Sequence, residues 1–164
     1  MPSAWRLVKT KYLANAFDGE GARLSGGRWN SHGVSVVYVS QSLSLALVEA
    51  LVHLKDSGIL PAYSAVRVEF DEALITTVAL TDLPPNWKSH PAPAETRAIG
   101  DTWVAGNASA LLRVPSVVVP SEFNYVINPN HPDFPLISMD APMSFPFDPR
   151  LANEALGMGL VGGL

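Results

Sequence analysis

The sequence predicts an α+β fold, and three observations support this prediction. Short β-branched runs closed by glycine or proline are typical of strands, and they outnumber the helical patterns. Strand and helix patterns do not alternate strictly along the chain, which argues against a doubly wound parallel sheet. A length of 164 residues suffices for a sizeable core, so we expect one domain over residues 1–164.

The N-terminal part of the chain predicts two strands joined by a long loop. Residues 3–8 (SAWRLV) alternate, with Trp5 and Leu7 on one face and Arg6 and Val8 on the other. Residues 9–33 are rich in glycine and show little periodicity, so we expect a long loop over the surface, of the kind that often carries function. Residues 34–40 (VSVVYVS) are β-branched enough to predict a buried strand.

A helix is predicted next, with Ser42 as its N-cap and Gly58 as its end. Leucine and valine side chains cover nearly its whole circumference, so we expect it to be buried on most sides. Only Glu49 and His53 interrupt the apolar surface, and their i, i+4 spacing puts them together on one face.

The rest of the chain predicts four more strands and one more helix. The strands are expected from alternation, β-branching or a closing proline at 63–71, 73–80, 111–120 and 124–129. Residues 83–93 form a proline-rich connection, and residues 94–107 predict a short helix that Asn107 could terminate. The chain from 131 onward has few signals, and the tail over 151–164 is left unassigned.

Composition and charge exclude several classes of function. A net charge of −4 and a pI near 5.5 give no general basic surface, so direct nucleic-acid binding is not expected. The absence of cysteine excludes disulfides, thiolate metal sites and a cysteine nucleophile. A hydrophobic content of 48% and a mean hydropathy of +0.17 predict a large core or a surface that a partner covers. Without an apolar leader or membrane-length apolar run, we expect a cytoplasmic protein with no membrane partner.

Arg28 is the first candidate site residue, because it follows two adjacent glycines and precedes the second predicted strand. Gly26 and Gly27 would let the backbone approach a ligand, and N–H groups beside a guanidinium would suit a phosphate. The same arginine could instead be a solvated loop residue. The glycine spacing matches neither a Walker loop nor a dinucleotide fingerprint.

The other polar candidates each allow a structural interpretation as well. Glu49 could be a carboxylate kept for chemistry or one simply paired with an arginine or histidine, and His53 alone is typical of a structural residue. Taken alone, Ser116 and Ser121 are typical of structural serines in a loop or at a strand edge. Neither lies in the G-x-S-x-G pattern of a hydrolase. The four histidines have no metal-binding spacing, so no metal is predicted.

The order of these segments resembles the RES domain, a family named for its arginine, glutamate and serine. The resemblance runs through GGRWNSHG, VVYVSQSLSLALVEALVH, IGDTW and RVPSVVVPSEFNYVINPNHPDF, and covers about residues 4–150. It implies that the arginine is Arg28, the glutamate Glu49 and the serine Ser116, with Tyr38 as the aromatic residue between them. Ser116 is preferred to Ser121 because the serine of the family belongs to the VPS block.

The resemblance implies a toxin of a bacterial toxin–antitoxin pair with an ADP-ribosyltransferase-like fold that consumes NAD+. Arg28, Glu49 and Ser116 would then be catalytic, while Arg28, Tyr38, Gly27, Ser116 and His53 would bind NAD+. The expected partner is an antitoxin with an Xre-like helix-turn-helix domain, and a protein is a further possible acceptor of ADP-ribose. Water and phosphate are the other acceptors left open.

Two alternatives of different classes remain at this point. A non-catalytic nucleotide-binding module would need the arginine clamp but no carboxylate near the ribose. A pure interaction protein would need only its apolar surface. The complete set of Arg28, Tyr38, Glu49 and Ser116 favours the enzyme.

Overall fold

The structure, a computed structural model, describes residues 1–54 and 61–151. In these ranges the strands are β1 (Ser3–Lys9), β2 (Val37–Ser40), β3 (Tyr63–Glu69), β4 (Ile75–Thr77), β5 (Leu111–Pro115), β6 (Phe123–Ile127), β7 (Ser138–Met139) and β8 (Met143–Phe145). The α-helices are α1 (Glu20–Ser25), α2 (Leu43–Val52) and α3 (Ala94–Gly106). The α+β prediction is confirmed.

The strands form one mixed, mostly antiparallel sheet in the order β4-β5-β6-β2-β1-β3-β7, with β8 also pairing with β3. Only the β4–β5 pair is parallel among the pairs of the described residues. Strand β2 therefore lies in the interior of the sheet, between β6 and β1. The predicted alternation of β1 and β3 survives in their seven-residue antiparallel register.

The two faces of the sheet carry two separate apolar clusters. One face buries the first cluster: Ala4, Val37, Val39, Val68, Phe70, Leu111, Tyr125 and Ile127. The other face buries the second cluster, in which strand residues Leu112, Val114 and Val126 pack with Trp29, Val36 and Trp103. Because side chains alternate along a strand, Tyr38 and Ser40 point to the side of the second cluster. We call this side the helix face.

Both longer helices cover the helix face. Helix α2 packs against β1 and β2, and α3 packs through Trp103 on Leu112 and Val114 of β5. The centre of the sheet, at β2 and β6, therefore lies between the two helices. None of the helices in the described part of the chain is long and apolar enough to cross a membrane.

Helix α2 corrects two predictions. It begins as expected at Ser42, whose Oγ accepts a hydrogen bond from the N–H of Leu45. It ends at Val52 rather than near Gly58, a residue outside the described ranges. The predicted burial on most sides is wrong, since Leu45 and Ala46 are buried while Val52 is 57% exposed. Helix α2 lies on one face of the sheet, over β1 and β2, so the sheet covers only one of its sides, whatever its hydrophobic pattern.

Other boundaries also differ from the predictions. Residues 9–33 contain a 3-10 helix at Thr10–Asn15 and the short helix α1, where a loop was expected. The strand predicted at 73–80 shrinks to three residues between 3-10 turns. The edge strands β7 and β8 lie in the segment after residue 131, where sequence signals were few. By contrast, α3 ends as predicted, with Asn107 in the left-handed region at φ 52°.

Candidate active site

Glu49 is the centre of a hydrogen-bonded cluster on the helix face. It projects from the last turns of α2, and its Oε1 accepts a hydrogen bond of 2.7 Å from Ser116 Oγ. The same oxygen accepts a second bond of 2.7 Å from Asn124 Nδ2. Glu49 is thus paired with two neutral donors rather than with a histidine. Among the described residues no hydrogen bond engages its second oxygen, Oε2.

Ser116 is fully buried directly after β5, and all its bonding capacity is used. Its Oγ accepts hydrogen bonds from the N–H groups of Val118 (3.2 Å) and Val119 (3.0 Å). Its single O–H donates to Glu49. A hydroxyl has one donor and two acceptor positions, and these three bonds fill them. The catalytic and NAD+-binding roles predicted for Ser116 stay predictions. Its place in the site is to hold the carboxylate.

Arg28 lies in the loop that precedes β2, and backbone carbonyls orient its guanidinium. Nη1 donates to the carbonyl oxygens of Trp87 and Ser89, both at 2.8 Å. These carbonyls belong to the proline-rich connection over 83–93, which thereby becomes part of the site. Among the described residues no hydrogen bond engages Nε or Nη2 of Arg28, and such N–H groups can donate to an anion.

Arg28 and Glu49 are electrostatically coupled across the cluster. Partial burial lowers the pKa of Arg28, while the negative charge of Glu49 acts in the opposite direction. An arginine stays protonated at any physiological pH. The site therefore combines the cation of Arg28 with the carboxyl group of Glu49, without a direct ion pair between them among the described residues.

Tyr38 holds the loop that carries Arg28 through two hydrogen bonds of its hydroxyl. Its hydroxyl donates to Asn30 Oδ1 at 2.5 Å and accepts from the N–H of Trp29 at 3.1 Å. Burial raises the pKa of Tyr38 far above its usual value, so the hydroxyl remains a donor. A Cβ atom at Gly27 would lie 2.6 Å from the Tyr38 hydroxyl oxygen, which explains the glycine there. The ligand contacts predicted for Tyr38 and Gly27 stay predictions.

Asn30 and Asp101 anchor the same loop from its other side. Asn30 is fully buried, and its Nδ2 donates to the carbonyls of Ala22 and Val34 at 2.9 and 3.0 Å. Asp101 of α3 accepts hydrogen bonds from the N–H and the Oγ of Ser31. Arg28 is therefore carried by a loop that is tied to both β2 and α3.

Two other sequence candidates, His53 and Ser121, lie away from this cluster, as does Arg6. His53 is exposed one turn beyond Glu49, and Ser121 is exposed in the turn before β6. Arg6 donates to the carbonyls of Ala16 and Tyr38. Because Trp5 pairs with Ser40, Arg6 belongs to the opposite face of the sheet. The role of His53 in ligand binding stays a prediction.

Sequence reasoning missed Asn30, Ser40, Asp101 and Asn124. Ser40 and Asn124 occupy inward positions of predicted strands, where a polar side chain needs a partner. That pattern was the available signal for these two. Asn30 and Asp101 had no such signal, since their partners are set by how the loop and α3 meet.

Two concavities on the surface lie away from the Glu49 cluster. One, of about 380 Å³, is lined by residues 61–63 and 144–147, and the other, of about 360 Å³, lies between β4 and α3. In the described ranges no group of three or more histidine, aspartate or glutamate side chains could hold a metal ion. The cluster offers instead a carboxylate for a developing cation and a guanidinium for an anion.

Comparison with known proteins identifies relatives over nearly the whole chain. The sequence profile of the RES domain family matches residues 3–148. A protein of Yersinia enterocolitica named Toxin Res is 43% identical over 148 residues, covering 90% of this chain and 97% of its own length. The Prs ADP-ribosylating toxin of a Sphingobium strain is 38% identical over 158 residues, covering 93% and 98%.

A solved structure shows the same fold. A chain in the crystal structure of the M. tuberculosis MbcT–MbcA toxin–antitoxin complex superposes with a TM-score of 0.69. The match covers 94% of this chain and 88% of that chain at 17% sequence identity. At this identity the likeness concerns the fold.

Proposed function

The chain belongs to the RES domain family, and from this premise we propose that it is a toxin that cleaves the nicotinamide–ribose bond of NAD+ and passes ADP-ribose to an acceptor. The observation that carries the proposal is the arrangement around Glu49. Its Oε1 is held by Ser116 and Asn124, and the positive charge of Arg28 lies nearby.

Arg28 is proposed to bind the pyrophosphate of NAD+. A guanidinium presents paired N–H donors that fit two phosphate oxygens, and the carbonyls of Trp87 and Ser89 fix its plane in advance. Tyr38 is proposed to present its ring to the nicotinamide. Its hydroxyl keeps the Trp29 backbone in place, so the aromatic face and the guanidinium are set by one hydrogen-bonded unit.

Glu49 is proposed to act on the ribose. When the C–N bond breaks, its electron pair leaves with neutral nicotinamide, and C1′ of the ribose becomes an oxocarbenium-like cation. The ionised carboxylate stabilises this cation through Oε2. An oxygen of the acceptor then forms the new bond to C1′, and its proton passes to Glu49 and on to solvent. Nicotinamide and the ADP-ribosylated acceptor are the products.

The acceptor is proposed to be a protein, with water and phosphate as the other outcomes. One relative is named an ADP-ribosylating toxin, and its alignment runs through 98% of its length. The test incubates the purified protein with NAD+ and measures free nicotinamide. Release of nicotinamide supports the proposal, and mass spectrometry of the products identifies the acceptor. If NAD+ stays intact with every acceptor supplied, the proposed function is wrong.

Arg28→Lys is expected to lower kcat/KM for NAD+ roughly tenfold or more, the effect of weakening a charged hydrogen-bonded pair. Lysine keeps the charge but cannot hold two backbone carbonyls and a bidentate phosphate at once. Arg23→Lys is the matched control, because the Arg23 side chain is 40% exposed and its one ion pair among the described residues is with Glu20 on α1. Steady-state nicotinamide release would measure both variants. If kcat/KM for Arg28→Lys stays within twofold of wild type, Arg28 does not bind the pyrophosphate through a pair of hydrogen bonds.

The partner is proposed to be an antitoxin, of the Xre-like type, that covers the same site. The structural neighbour comes from a toxin–antitoxin complex, and an NAD+-consuming enzyme would harm its own cell if left free. An acidic group of the antitoxin would pair with Arg28 in place of the pyrophosphate. We expect a non-cleavable NAD+ analogue at saturation to weaken antitoxin binding. An unchanged dissociation constant in calorimetry would place the inhibitory surface elsewhere.

A further inference from the structure

We propose that Asn124 and Ser40 are positioning residues that fix the Glu49 carboxylate for catalysis; this inference rests on the proposed function. Neither residue stood among the sequence candidates. They lie opposite each other in the register between β2 and β6, so both side chains project from the helix face toward α2.

A directed chain of hydrogen bonds links the sheet to the carboxylate. Ser40 Oγ donates to Asn124 Oδ1 at 2.7 Å, and Asn124 Nδ2 donates to Glu49 Oε1 at 2.7 Å. Ser40 is only 5% exposed, so this end of the chain is shielded from water. An amide has one donor end and one acceptor end, and a carboxylate can only accept. Ser40 therefore satisfies the end of Asn124 that cannot face Glu49, and holds the donor end toward the carboxylate.

The two donors to Glu49 come from different strands and meet at one oxygen. Ser116 directly follows β5, whereas Asn124 lies in β6. Two anchors on Oε1 restrict the rotation of the carboxylate about its side-chain bonds, while Oε2, which no hydrogen bond from the described residues engages, keeps its lone pairs for the ribose. With Ser116 alone, the carboxylate could pivot about a single hydrogen bond. Asn124 thus supplies the second fixed point, which pre-organises the charge that the transition state needs.

The test uses three variants assayed by nicotinamide release. Asn124→Leu removes the donor, Ser40→Ala removes the group that orients it, and Asn124→Asp replaces the donor with an ionisable acceptor of the same shape. We expect kcat to fall about 10- to 100-fold for Asn124→Leu and Asn124→Asp at neutral pH, the range for a hydrogen bond to a charged group. For Ser40→Ala we expect a smaller fall, because the amide can still reach Glu49 in part of the population. KM should stay within twofold in all three, since none of these groups contacts the substrate.

The pH profile separates positioning from a merely structural role. In Asn124→Asp the introduced carboxylate faces Glu49 directly, with the cationic Arg28 acting on Glu49 from the loop side. At neutral pH both carboxylates are ionised and repel each other. As the pH falls, the pair takes up one proton, and the protonated introduced carboxyl donates to Glu49 as the amide did. Activity relative to wild type should therefore rise on acidification for Asn124→Asp and stay flat for Asn124→Leu.

A second measurement keeps the inference testable apart from catalysis. The side-chain amide protons of Asn124, assigned by nuclear magnetic resonance with Asn124→Asp as the reference, should exchange slowly with solvent in the wild type. They should exchange faster in Ser40→Ala. If the Asn124 amide protons exchange slowly but the protein leaves NAD+ intact, the hydrogen-bonded network around Glu49 exists and the proposed function is wrong. Fast exchange in the wild type, or identical pH profiles for Asn124→Asp and Asn124→Leu, would overturn the inference.

Discussion

Replacing Glu49 with glutamine is expected to lower the rate of nicotinamide release at least about 100-fold, as for the loss of one electrostatic partner of a transition state. Glutamine has nearly the same volume, and its Oε1 can still accept the hydrogen bonds of Ser116 and Asn124. The fold should persist, while the negative charge proposed to stabilise the ribosyl cation and the base proposed to take the acceptor's proton are both lost.

The matched control for this substitution is Glu72→Gln. Glu72 is an exposed glutamate in the 3-10 turn before β4, where it pairs loosely with Arg113 at 3.5 Å. We expect this variant to release nicotinamide at the wild-type rate. Thermal melting of both variants checks the fold. If folded Glu49→Gln keeps more than half of the wild-type rate, Glu49 has no part in the chemistry.

Gly100→Ala should be the most damaging substitution outside the carboxylate cluster. A Cβ atom on Gly100 of α3 would lie 1.6 Å from the carbonyl oxygen of Trp29, well inside van der Waals contact. The neighbour is backbone, so α3 and the Arg28 loop must separate by more than 1 Å. We expect a loss of about 3 kcal/mol or more in the free energy of unfolding, at the upper end for overpacking. The gain of about 1 kcal/mol in helix propensity from alanine does not offset this.

The same displacement should also abolish activity, because the Trp29 N–H donates to Tyr38 and Arg28 precedes Trp29 directly. Gly106→Ala is the matched control on α3, since a Cβ atom there would meet nothing within 4 Å. Urea denaturation should show Gly106→Ala at or slightly above wild-type stability and Gly100→Ala far below. Equal midpoints for the two variants would mean that α3 does not pack on the loop as closely as described.

Several strands and the second long helix could be predicted from the sequence because their signals are local. The alternation in 63–71 anticipated β3, and Asn107 anticipated the end of α3. The predicted burial of α2 was wrong, because its leucines and valines say nothing about how much of the helix the sheet can cover. Strands β7 and β8 depend on pairing with β3, a partner about 70 to 80 residues earlier in the chain.

In the candidate site, too, some residues could be predicted from the sequence and others depend on contacts between distant segments. Arg28, Tyr38, Glu49 and Ser116 followed from family motifs, and the structure brings them to one face of the sheet. Asn124 and Asp101 gain their meaning only from contacts between elements distant in sequence. The need for Gly100 likewise appears only when α3 meets the Trp29 carbonyl. Polar residues at inward strand positions were the one local signal that could have pointed to Ser40 and Asn124.

A crystal structure of the Glu49→Gln variant soaked with NAD+ would show whether Arg28 and Glu49 form one NAD+-cleaving site, as proposed. We expect an intact dinucleotide on the helix face between α2 and α3. Its pyrophosphate should lie within hydrogen-bond distance of the Arg28 guanidinium, with the nicotinamide ribose beside residue 49. A dinucleotide bound at another place on the chain, or one oriented with its adenosine ribose at residue 49, would contradict the claim.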